Sequence, residues 1–119
     1  MAESILASIN INFTDLDDTS FDADLIRSIN ATLATLTFQL GVGPEEGFII
    51  TGRNETWDNI YTDKRLSMVE EYVKVSVQLA FDPPTNQSMI SILEKTISKL
   101  EFRIGVVVTD IENKTGGAI

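Results

Sequence analysis

Consecutive prolines at positions 83 and 84 constrain this chain more than any other feature. Each lacks a backbone N–H and clashes with the preceding turn, so neither fits inside a helix. Yet helix-period apolar patterns run up to the pair and resume just beyond it. Upstream, Asp63 is placed to cap a helix whose Leu66, Val69, Val73, Val77 and Ala80 form one stripe, widened by Tyr72, Val75 and Leu79. Downstream, Thr85 is placed to cap a second helix in which Ile90, Leu93, Ile97, Leu100 and Ile104 recur almost as a heptad, with Glu94, Lys95, Lys99 and Glu101 on the wet side. Pro83 and Pro84 are therefore expected to act as a stiff elbow that fixes the angle between the two longest helices. That is a packing device, and it carries no chemistry of its own.

The rest of the chain supplies shorter pieces. Ile5, Leu6 and Ile9 suit a turn or two of helix, and the polar stretch from Asn10 to Ser20 reads as a loop. Phe21, Leu25, Ile29, Leu33 and Leu36 repeat at three and four residues, predicting an amphipathic helix that Leu40-Gly41 ends. Gly41 to Asn54 is a glycine-rich loop in which Phe48 to Thr51 is expected to be extended, and Thr56 to Tyr61 a short turn that buries the only Trp. Gly105 should close the last helix, since Val106-Val107-Val108 favours β structure and the polar end looks unstructured. The expectation is an all-α fold: a small bundle of about four helices over residues 1–104, followed by an extended tail over 105–119. A strand at Val106–Val108 would pair either with Phe48–Thr51 or with a sheet on another protein.

Composition removes most chemistry. The 119 residues are enough for one core. Cysteine and histidine are both absent, which excludes disulfides, thiol nucleophiles and Zn–thiolate sites, together with the commonest general base and metal ligand. The N-terminus has no basic region, so it does not read as a signal peptide, and no apolar run reaches membrane-spanning length. A cytoplasm-like compartment is expected. The net charge of −9 lies wholly in residues 1–63, where eleven acids face two bases; residues 64–119 hold seven of each. Such a field gives no footprint for sequence-specific nucleic acid binding.

The cluster Asp15, Asp17, Asp18, Asp22 and Asp24 invites a calcium-loop comparison, but Ser20 and Ile26 stand where that loop needs Gly and Glu. Favourable charge at a helix start explains Asp22 and Asp24 better. The glycines of 41–47 follow no strand, and Glu45 and Glu46 would repel a phosphate. Glu70 and Glu71 are neighbours on a helix and point about 100° apart, so they do not converge on one substrate. No catalytic residue, cofactor or metal site is expected, and the chain does not read as an enzyme.

Ordered across the middle of the chain are Gln39-Leu40-Gly41-Val42-Gly43-Pro44-Glu45-Glu46-Gly47-Phe48, Glu55-Thr56-Trp57-Asp58, Asp63-Lys64-Arg65-Leu66, Glu71-Tyr72-Val73, Phe81-Asp82-Pro83-Pro84 and Leu100-Glu101-Phe102-Arg103. Together they resemble the head–tail connector (adaptor, or head completion) proteins of long-tailed double-stranded DNA phages and prophages. The resemblance covers about residues 20–104. It implies a structural neck protein that docks on the portal as a closed ring of itself, about twelve copies, and links the DNA-filled head to the stopper or tail. It also implies residence in the virion neck, with host cytoplasm as the site of assembly. The portal contact would fall on the C-terminal helix and tail, at Leu100, Ile104, Val106, Val107, Val108 and Ile111. Deleting residues 106–119 should leave the helical bundle folded but abolish portal docking, whereas unfolding of the truncated chain would mean that the tail is an intramolecular strand. Asp15, Asp17, Asp18, Asp22 and Asp24 could line the DNA channel, where acid groups keep phosphate from adhering. The competing expectation is a transient assembly factor or chaperone that is not retained in the particle.

Overall fold

A computed structural model describes residues 4–11 and 19–115, with side chains to residue 113. Its helices are α1 (Ile5–Asn10), α2 (Asp22–Phe38), α3 (Met68–Phe81) and α4 (Gln87–Thr115), with short 3-10 turns at Trp57–Asn59 and Lys64–Leu66. The all-α bundle is therefore as expected. Among the described residues there is no strand, only an isolated antiparallel bridge between Ser4 and Thr56.

Each helix forms where its apolar spacing lets it bury a face. In α2, Leu25, Ile29, Leu33 and Leu36 are buried, and Asp22 and Asp24 lie in the first turn, where negative charge favours the helix dipole. Phe21 precedes the helix and lies edge-on to Phe81 at 5.8 Å, fixing the start of α2 beside the end of α3. The helix ends as the sequence suggests: Gly41 takes φ +78°, and the Val42 N–H returns to the Leu36 carbonyl at 2.9 Å. Val69, Tyr72, Val73 and Val77 of α3 join the same core. This helix packs on α2 at one side and α4 at the other.

The boundaries around the elbow shift slightly. Asp63 does cap, accepting the Arg65 N–H at 2.9 Å, but what it caps is the 3-10 turn; α3 begins at Met68. Residues 82–86 make the corner, and Asn86 caps α4 in place of Thr85 by accepting the Ser88 N–H at 2.7 Å.

The segment after Gly105 differs more. Residues 105–115 are helical, so the extended tail and its break at 104/105 are not found there; residues 116–119 lie outside the described part. The cause is burial. Ile104 and Val108 continue the stripe of Leu100 at successive turns, and all three are core residues. Val107 and Ile111 pack against that core from its edge. Strand preference measures fit to a half-buried pleated surface, so it yields when a helix offers fuller burial. Arg65 then grips Asp63 at 2.8 Å and Asp110 at 2.7 Å, fastening the late turns of α4 to the 3-10 turn.

With Val106–Val108 in a helix, the Phe48–Thr51 segment has no strand partner. Asn30 substitutes: its side-chain amide accepts the Ile50 N–H at 2.8 Å and donates to the Ile50 carbonyl at 3.0 Å. Trp57 closes the core, its indole N–H donating to Ser8 Oγ at 3.1 Å. α1 is held by that same region, through the Ile5 N–H on the Glu55 carbonyl. Six residues make a marginal helix alone, so α1 depends on burying Ile5, Leu6 and Ile9 here.

Candidate assembly surfaces

Of the six residues expected at a portal contact, Leu100, Ile104 and Val108 belong to the core, Val107 and Ile111 are half-buried, and Val106 is exposed. Half of that set therefore holds α4 in place and presents little to a partner. Of the acidic set, Asp15, Asp17 and Asp18 lie outside the described residues. The Asp22 carboxylate receives the Arg53 guanidinium through two hydrogen bonds of 3.0 and 3.2 Å. Asp24 meets Arg27 at 3.3 Å on open surface, a pairing of little energetic weight. Pro83 and Pro84 occupy the connection between α3 and α4, where the chain reverses.

The polar ties inside the bundle are structural. Tyr72 donates its hydroxyl to a Glu101 oxygen at 2.8 Å, joining α3 to α4, and Tyr61 likewise donates to Glu70. Burial raises both phenol pKa values well above the ordinary range, and the neighbouring glutamate charges raise them further. Neither tyrosine is thereby a base near neutral pH. Burial is the largest single influence on Glu55 and works against its ionisation, but hydrogen bonds from the Thr51 hydroxyl and from nearby backbone N–H groups together outweigh it and lower its pKa. That carboxylate pins the 51–55 turn. Among the described residues no three of the acidic side chains converge as a metal cluster would require.

What the surface offers is contact area. Ile92, Phe102 and Val106 on α4, and Phe38 and Ile49 around the end of α2, are exposed large apolar side chains. An open depression of about 620 Å³ is lined by residues of α2, α3 and α4, among them Ser28, Ala31, Tyr72, Ser76 and Glu101. Sequence periodicity marks the buried stripes and does not by itself mark these outward residues. The available signal was negative: Phe38 follows Leu36 by two, and Phe102 and Val106 fall off the Leu100–Ile104 stripe.

The model of a family described as phage connector protein matches residues 5–110. This chain belongs to that family. No curated protein and no solved structure matches it. Membership supports a connector role at the phage neck, in association with other phage structural proteins, and families of this structural kind are normally non-enzymatic. The match spans α1 through most of α4, so the helical part after Gly105 lies within the family unit down to Asp110. Among the described residues no helix is long and apolar enough to cross a membrane.

Proposed function

We propose that this connector is a neck adaptor that assembles as a ring on the portal and joins the filled head to the stopper or tail. The observation that carries this is the family match over residues 5–110. The exposed apolar residues on α4 and around the end of α2 support it, because a part used for assembly needs exposed contact area. The portal contact lies at the C-terminal end of α4, around Ile111 and the residues that follow. Leu100, Ile104 and Val108 serve it indirectly, as the buried stem that aims the helix. The acidic first half of the chain, Asp22 and Asp24 included, faces the DNA path, where a net negative field leaves phosphate without a foothold. The Pro83–Pro84 corner sets the direction of α4 relative to α3.

Quantitative mass spectrometry of purified particles tests this. The protein is expected in the virion at a stoichiometry fixed relative to the portal, and binding to isolated portal should weaken when Ile111→Glu is introduced. Absence from finished particles, with binding confined to assembly intermediates, would instead identify a transient assembly factor.

A further inference from the structure

Two exposed patches of opposite charge sit on different elements of this chain. On α4, Lys95, Lys99 and Arg103 recur every fourth residue, so they line one side of the helix over successive turns. All three are exposed, and none forms an ion pair with a described carboxylate. The same side carries Ile92, Phe102 (72% exposed) and Val106 (53%). The second patch surrounds the end of α2. There Phe38 (66%) and Ile49 (62%) stand in solvent beside the exposed Glu45 and Glu46, which likewise have no ion-pair partner among the described residues. Phe38, Phe48 and Ile49 border a hollow of about 310 Å³.

A third observation bears on the α4 side. Gly105 lies inside a helix, where glycine is less favourable than alanine. Nothing within the chain requires it: a Cβ there would meet no atom within 4 Å. Gly105 lies in a shallow, open depression of the surface lined also by Glu101, Phe102, Val106 and Thr109.

We infer that the basic, apolar face of α4 docks on the acidic, apolar Phe38–Ile49 patch of a second copy of this chain. Charge complementarity selects that occupant. The chain as a whole carries −9, so copies repel unless a basic face meets an acidic one, and each patch supplies what the other lacks. The two patches share no residue. A contact that uses each patch once per pair of neighbours is head-to-tail, leaves one patch of each kind free at every step, and closes into a ring when the angle permits. This rests on the neck-ring reading for its setting and adds the residues through which neighbours meet.

The absence of native cysteine makes the test clean. Ile49→Cys and Phe102→Cys replace exposed side chains, so neither threatens folding. The two full-length variants are mixed, oxidised, and analysed by non-reducing electrophoresis and intact mass. The disulfide-linked heterodimer of the two variants is expected several-fold above either homodimer. Its yield should fall at high salt, and fall again when Glu45→Lys and Glu46→Lys are added to the Ile49→Cys chain. A predominant Phe102→Cys homodimer would mean a two-fold contact and overturn the inference. So would a heterodimer no more abundant than one made with a control cysteine at exposed Thr85. The same two substitutions placed in one chain and examined in purified particles separate the two ideas. Neck copies at portal stoichiometry that lack the link sink this contact and leave the neck role standing; a link in solution with no protein in particles does the reverse.

Discussion

Gly105→Ala and Gly41→Ala should change stability in opposite directions. Gly105 lies in a right-handed helix with open space where a Cβ would go. Alanine there gains the full helix-propensity difference, about 1 kcal/mol, chiefly by reducing the freedom of the unfolded chain. For a domain of this size that raises Tm by roughly 3–5 °C. Gly41 has φ +78°, and a Cβ would stand 3.2 Å from Cγ1 of Val108. A left-handed alanine costs roughly 1–2 kcal/mol before that crowding is counted, so Gly41→Ala should lower Tm by at least a similar amount. Urea denaturation followed by far-UV circular dichroism measures both, provided the m-values stay equal so that midpoints report stability. The pair discriminates because a chain that left the helix at Gly105 through a left-handed C-cap would hold that glycine at positive φ. Alanine would then destabilise it by about 1 kcal/mol. A fall in stability with Gly105→Ala would refute the continuous α4.

Deleting residues 106–119 removes Val108 from the core and Asp110 from Arg65, so the truncated chain should lose cooperative thermal unfolding, contrary to what an extended tail would allow. Ile104→Ala empties a fully buried site and should cost about 2–5 kcal/mol in urea titrations; a loss under about 1 kcal/mol would mean that α4 is not seated there. Tyr72→Phe should cost about 1–2 kcal/mol, since it leaves Glu101 without its hydroxyl donor. The Tyr72 phenol pKa is raised in the folded state, so its contribution is fully present below the unfolded value of about 10 and fades as pH rises beyond it. Tyr72→Phe should accordingly flatten the alkaline loss of stability, and an unchanged alkaline limb would show that another group governs it.

Much of this architecture was legible because burial leaves a period in the sequence. Leu25, Ile29, Leu33 and Leu36 announce α2, Val69, Val73 and Val77 announce α3, and the double proline marks the turn from α3 into α4. What failed was the step at Gly105, where two local signals, a glycine and a β-branched run, both argued for an exit from the helix. Neither sees that Val108 meets Gly41 across the fold or that Arg65 holds Asp110, contacts between residues far apart along the chain. The same blindness hid the role of Asn30, whose amide does for Ile50 what a neighbouring strand would have done. The exposed apolar surface was harder still. A core is marked by what repeats, whereas Phe38, Ile49 and Phe102 lie off the buried stripes.

Val108 and Asp110 are made after every residue they fasten, and the fold closes on them. A copy interrupted before these turns therefore lacks the pieces that seat its longest helix. It stays open to degradation and does not resemble a finished subunit. This is quality control by chain order: only a molecule translated past Asp110 holds the residues that seat its longest helix.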